Sequence, residues 1–324
     1  MSLTAPPHPL VRGAGARALL QGDQRIVVIG AGGWLGLATL EMLHGLFGET
    51  FERRVAAYGS SERTLSLRGG VDVPQWALAE LAKASPVPTL VLHLAYLTQE
   101  RAAAMTPAHY AETNRAISRQ VLDALDPLGA EAIFVASSGA VYLADDNQAL
   151  ASKRLYGSLK LEDEARFADW ATRRGRRAAV ARMFNLSGPY INKRSSYALA
   201  CFIADALAGR PITIQAARRV YRSYVAIEDL MSVVFGVLTE LGGRAITFDT
   251  AGDAVYEMAQ IAEAVLETLG CARRIERPAL GDEEPDRYVG DRAAYVSLLG
   301  RLDVEPLGFA DQIKHTAGYM AEYP

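Results

Sequence analysis

A tyrosine and a lysine four residues apart, Tyr156 and Lys160 in "YGSLK", sit at the start of a polar helical stretch. Upstream, a serine pair, Ser137 and Ser138 in "SSGAVY", closes a hydrophobic run. On a helix, residues at this spacing share a face, so the phenol and the ammonium point the same way. A free tyrosine titrates near ~10. A neighbouring positive charge favours the phenolate and lowers that value. The phenol could then exchange a proton with an alcohol or carbonyl near neutral pH, with Ser138 holding the same oxygen. Tyr-x-x-x-Lys alone is common, and its bland reading is a surface pair.

A second motif favours the chemical reading. In "IVVIGAGGWLG", Gly30, Gly33 and Gly36 follow a short β-branched run and open a helical pattern at Trp34. A pyrophosphate can rest on the exposed N–H groups of such a helix start, because glycine lets it approach the backbone. The last glycine lets helix and strand pack closely. A ligand-free Gly-rich turn is the alternative. A dinucleotide such as NAD would usually meet an acid at the end of the second strand. That strand ends Ala57-Tyr58-Gly59-Ser60-Ser61-Glu62-Arg63, with no carboxylate at its tip. Ser60, Ser61 and Arg63 suit a 2′-phosphate, so NADP is read ahead of NAD. In the other reading Glu62 meets the ribose.

These residues need a scaffold that brings strand ends together. Arg25–Ile29, Val55–Tyr58, Val71–Val73, "PTLVLHLAY", "AEAIFVASS" and "AAVARMFNLSG" read as strands. Between them, Trp34–Phe47, "ALAELAKA", "TPAHYAETNRAISRQVLDAL" and Leu155–Thr172 read as helices. The alternation predicts an α/β fold: a Rossmann-type doubly wound parallel sheet, with ligands beyond the strands' carboxyl ends. Residues 1–24, Pro/Gly/Ala-rich, are expected as a loosely packed, flexible leader. Residues 25–184 form the dinucleotide-binding domain. Residues 185–324 form a smaller mixed α/β substrate lobe interwoven with the sheet.

Composition narrows the function. A net charge of -3 over 324 residues gives no electrostatic footprint for nucleic acid or an anionic membrane. No apolar run approaches the ~20 residues of a membrane span. The two cysteines, Cys201 and Cys271, have no partner spacing, so neither a disulfide framework nor a metal site is expected, and a reducing cytoplasm is the expected compartment.

The ordered phrases "GAGGWLG", "VDV", "LHLAY", "TNRAIS", "SSGAVY", "YGSLK", "RMFNLSGP" and "RSYVAIEDL" resemble the extended short-chain dehydrogenase/reductase family, and within it the NAD-dependent epimerase/dehydratase branch acting on nucleotide sugars. The resemblance implies that Ser138, Tyr156 and Lys160 are the catalytic triad. It places Asp72 and Val73 against adenine. It places Trp34, Leu35, Leu94, Ala95, Tyr96, Ala136, Ser137 and Met183 along the cofactor, although the family usually has alanine where Tyr96 stands. Asn114 would lie near the nicotinamide ribose, and Lys160 would hold that ribose. Asn185 and Arg222, with Ser138, would hold the substrate, Arg222 as a diphosphate clamp. Gly139 and Ala140 follow Ser138 where dehydratases of this branch carry Asp-Glu, which disfavours a 4,6-dehydratase.

The resulting expectation is an NAD(P)-dependent epimerase or oxidoreductase of a nucleotide sugar. An NADPH-dependent reductase of a small carbonyl compound and a non-catalytic dinucleotide-binding protein are the rivals. His93 reads as a packed strand-end histidine. By resemblance, the helices Tyr110–Leu125 and Leu155–Thr172 would pair in a homodimer, although Val121, Leu122 and Leu125 also suit ordinary core packing.

Overall fold

The computed structural model describes residues 8–97, 104–242, 245–272 and 274–323. Its centre is an eight-stranded sheet of β1 (Arg25–Ile29), β2 (Val55–Gly59), β3 (Arg63–Ser66), β4 (Asp72–Ala77), β5 (Thr89–His93), β6 (Ala130–Ser138), β7 (Arg177–Met183) and β12 (Ala245–Asp249), in the order β12-β7-β6-β5-β1-β2-β4-β3. Every pairing is parallel except β3 with β4. The strand order reverses between β1 and β5, the place where open α/β sheets bind ligands.

The central strands are apolar on both faces because helices cover both. One face packs α4 (Pro107–Leu125) and α5 (Ala151–Arg174), with Val121, Leu125 and Phe167 fully buried. The other packs α2 (Trp34–Phe47), the short α3 (Phe51–Arg54), α7 (Ile227–Thr239) and α9 (Arg292–Arg301). Helix α4 starts at Pro107, with the Thr106 side chain accepting from the His109 N–H at 3.3 Å. Beyond the sheet, the short strands β8 (Leu186–Ser187), β9 (Ile212–Thr213), β10 (Val220–Arg222), β11 (Val225–Ala226), β13 (Tyr256–Glu257), β14 (Ile275–Glu276) and β15 (Asp286–Tyr288) form small sheets. With α6 (Ala198–Leu207), α8 (Met258–Thr268) and α10 (Phe309–Glu322) they build a second apolar cluster around Phe202, Ile261 and Ile313.

Two expectations are corrected. Within the supposed leader, Gly13–Gln21 form α1, with Leu19 fully buried. Gly15 lies so close to Gly236 of α7 that an added Cβ would fall 2.6 Å from its nitrogen. Arg12 pairs with Asp229, and its N–H donates to Ser232 Oγ at 2.9 Å. Small residues bring the helices together here, so an Ala/Gly-rich sequence packs tightly. Residues 1–7 lie outside the described residues. The polar stretch between the strands expected at Val55–Tyr58 and Val71–Val73 also carries a strand that was not expected, since Arg63–Ser66 pair antiparallel with β4 at the sheet edge. Among the described residues, no helix is long and apolar enough to cross a membrane.

Candidate active site

The carboxyl end of β1 turns at Gly30, where φ is +86° and an added Cβ would fall 2.6 Å from the Ala95 nitrogen. Glycine is therefore required twice over, for the left-handed backbone and for the approach of the segment after β5. Helix α2 follows with Gly33 as its N-cap and no side-chain cap. The Leu37 N–H returns to Gly33 O at 2.9 Å, so the earlier N–H groups of Trp34, Leu35 and Gly36 have no helical partner. Unpartnered N–H groups on a glycine turn fit a diphosphate.

Ser138 ends β6, and its side chain caps the turn Gly139–Leu143 by accepting from the Ala140 N–H at 3.2 Å. Helix α5 packs directly beneath that turn. An added Cβ on Gly157 would fall 2.2 Å from Ala140 O, so the small residue next to Tyr156 lets the phenol meet Ser138. The Tyr156 phenol is partly buried and interacts with Ser138. Lys160 Nζ donates to Ala136 O at 2.8 Å and lies 3.4 Å from the centre of the Tyr96 ring. One turn on, Glu164 accepts from Ser137 and takes two bonds from Arg182, Nε at 3.0 Å and Nη2 at 2.7 Å. This part-buried pair braces the end of β6 at Ser137.

One cleft of about 320 Å³ gathers most of the expected residues. Gly30, Gly33, Trp34, Leu35, Gly36, Leu94, Tyr96, Ala136, Ser137, Ser138, Tyr156, Lys160 and Met183 all line it. Asn192, Lys193 and Tyr197 of the second lobe line it too, and no motif pointed to them. Trp34 ties the glycine turn to that lobe, since its Nε1 donates to Pro189 O at 2.7 Å and its ring meets Tyr197 at 5.3 Å. Tyr288, 3.3 Å from Ser138 Oγ, was also missed, because nothing in its spacing links it to residues 150 positions upstream.

The electrostatics differ from expectation. Burial pushes the Tyr156 phenol up, outweighing the bond from Ser138. Lys160 does not offset this, because its ammonium is 5.8 Å from the Tyr156 ring centre and turned toward Tyr96 and Ala136. Burial pushes Lys160 itself down to about 8, with Asp163 and Glu164 opposing. His93 is a buried strand-end residue packed on Phe167, pushed down to about 3 by burial and by the Lys160 charge. It is uncharged at neutral pH.

Several expected contacts lie elsewhere. Asp72 and Val73 open β4 rather than close it, and Ala77, paired with Gly59, marks its carboxyl end. At about 3.3 Å per residue, Asp72 is roughly 16 Å from that edge. Its carboxylate accepts from Ser66 Oγ at 2.8 Å instead. Asn114 is buried, accepting from the Leu97 N–H at 2.8 Å and donating to Tyr110 O at 3.1 Å, and so braces the loop after β5. Asn185 donates to Ser223 O at 3.1 Å and Tyr288 O at 3.3 Å. Arg222 is held by Asp286, Nη1 to Oδ1 at 3.2 Å and Nη2 to Oδ2 at 3.1 Å. Neither lines the cleft. Ser60 is exposed. Arg63 is exposed and lies on the glycine turn, where an added Cβ on Gly32 would fall 1.8 Å from its Nη2.

No curated protein matches this sequence. Among solved structures, the fold is similar to UDP-N-acetylglucosamine 4-epimerase from Methanobrevibacter ruminantium, in complex with UDP-N-acetylmuramic acid (18% identity, 93% of this chain and 99% of that one, TM-score 0.71). It is also similar to UDP-glucose 4-epimerase from Thermotoga maritima with UDP-glucose (17% identity, 93% and 99%, TM-score 0.69). A third is UDP-glucose 4-epimerase from Thermus thermophilus in complex with NAD (19% identity, 92% and 99%, TM-score 0.66). The sequence profile of the NAD dependent epimerase/dehydratase family matches residues 26–247, across the glycine turn, Ser138, Tyr156 and Lys160, and the chain belongs to that family, as an enzyme of the extended short-chain dehydrogenase/reductase type.

Proposed function

We propose that this chain is a nucleotide-sugar epimerase or oxidoreductase in which Tyr156 moves the proton. The observation that carries the reading is the convergence of Ser138, Tyr156 and Lys160 in one cleft with an uncapped glycine-turn helix. The turn would hold a diphosphate through the N–H groups of Trp34, Leu35 and Gly36. Lys160 would offer one of its remaining N–H groups to a ribose hydroxyl. When bound, a nicotinamide supplies the hydride chemistry. Ser138 and Tyr156 would grip the substrate hydroxyl, Tyr156 taking its proton and returning it when the hydroxyl is rebuilt. The positive charge of an oxidised nicotinamide nearby would oppose the burial that now keeps the phenol protonated.

Arg63 supports NADP over NAD. It is an exposed guanidinium on the glycine turn, beyond a strand that ends in Gly59 rather than an acid. Among the described residues, it has no carboxylate partner. Homodimer formation through α4 and α5 belongs to the same reading. Incubation with UDP-, dTDP- and GDP-sugars tests it, since a ligand held only by the folded state raises the melting temperature. Stabilisation by one of them, followed by its conversion to an epimer or oxidised sugar, is expected.

One observation favours a second reading, an NADPH-dependent reductase of a small carbonyl compound. Arg222, the expected diphosphate clamp, is already paired with Asp286. No stabilisation by any nucleotide sugar, with oxidation of NADPH by small aldehydes, would favour it.

A further inference from the structure

Tyr96 lies just after β5, on the segment that meets the glycine turn. Here the ring fills the space between two functional groups. The Lys160 ammonium lies 3.4 Å from its centre, and the Tyr156 ring meets it edge-on at 5.7 Å and 79°. Lys160 is only 5% exposed, and its one hydrogen bond among the described residues is to Ala136 O. A buried ammonium without a directly bonded carboxylate needs another source of negative potential. An aromatic face supplies one. The Tyr96 hydroxyl has no hydrogen-bond partner among the described residues, so it is the ring that Lys160 meets.

We propose that Tyr96 is a positioning residue whose ring face, with the Ala136 carbonyl, fixes the Lys160 ammonium in its charged form beside Tyr156. The other groups acting on Lys160 are His93 on β5, kept neutral, and Tyr156, Asp163 and Glu164 on α5. Asp163 and Glu164 hold Lys160 charged by longer-range attraction, and Tyr96 adds direct contact. Lys160 thereby keeps a defined direction for its remaining N–H groups. The functional meaning rests on the proton-transfer reading above, but the contact can be measured without turnover.

The chain has five lysines, so labelling their ε-carbons with ¹³C gives few signals, and Lys160→Arg identifies the one of interest. Tyr96 is replaced by phenylalanine and then by mono-, di- and trifluorophenylalanine, which keep the shape while weakening the ring face. Phenylalanine should leave the Lys160 titration midpoint in place. The fluorinated series should lower it stepwise, by about one pH unit in total. Tyr96→Leu should lower it as well. A midpoint that stays constant through the fluorinated series would overturn the proposal. If a nucleotide sugar turns over, the alkaline limb of its pH–rate profile should move down with the midpoint. If none does, the proposed function fails, and the midpoints still decide the role of Tyr96.

Discussion

Ser138 Oγ at the end of β6 lies 3.3 Å from the hydroxyl of Tyr288 on β15, joining the sheet to the second lobe at the proposed catalytic serine. The Tyr288 ring packs on Phe184 at 4.7 Å, and its strand pairs with that of Arg222. Removing the hydroxyl with Tyr288→Phe leaves the ring packed and frees Ser138 on one side. A net hydrogen bond is worth about 1 kcal/mol, so kcat should fall roughly three- to tenfold with cofactor affinity unchanged. Steady-state kinetics with the identified substrate checks this, and unchanged kcat would assign Tyr288 to packing alone.

The Arg63 guanidinium lies against the glycine turn at Gly32. Arg63→Ala should weaken NADPH by about tenfold or more, the worth of a charge-assisted bond, while NADH changes little. Fluorescence titration of both reduced dinucleotides measures the ratio. Equal losses would point to packing on the turn rather than phosphate recognition.

We expect Lys160 to set stability against activity. Its folded value, about 8, lies below its ordinary 10.5. Between these values the unfolded chain binds the proton that the folded chain has released, so this group makes stability rise with pH. Below about pH 8 the buried charge costs stability in full. Lys160→Met should therefore abolish turnover yet melt a few degrees higher at pH 7, with the gap closing as pH rises toward 10.5. Melting curves across that range test the sign, and a lower melting temperature at pH 7 would contradict it.

Helix α1 is docked by close approach rather than by large side chains. Gly15→Val would force its side chain into the backbone of Gly236. We expect a loss of several degrees in melting temperature by calorimetry, from the overpacking that typically costs about 1–3 kcal/mol. No loss would mean that the helix shifts freely on α7.

The parts of the fold set by local pattern were legible in the sequence. The β-branched run into glycines gave β1 and the turn, and the apolar strand before "SSGAVY" gave β6 to its last residue, Ser138. What was hidden depended on register and on long-range contact. Pro74 interrupts β4, and the strand continues to Ala77 because only β3 lies opposite Pro74. The strand expected at Val71–Val73 runs on to Ala77, so Asp72, placed against adenine by resemblance, sits at its opposite end. Tyr288 and Trp34 act across the two lobes, and no periodicity records such pairs. Gly157, inside "YGSLK", is the point where α5 touches the Ser138 turn, a contact no local pattern records.

The most direct test of the central claim is the Tyr156→Phe variant, assayed for dinucleotide binding and for turnover of whichever nucleotide sugar stabilises the wild type. Binding should stay within about twofold, because the glycine turn and Lys160 are untouched, while kcat should fall by roughly 10²–10⁴, the usual worth of a positioned acid/base. Turnover that survives at the wild-type rate would contradict the assignment of proton transfer to this phenol.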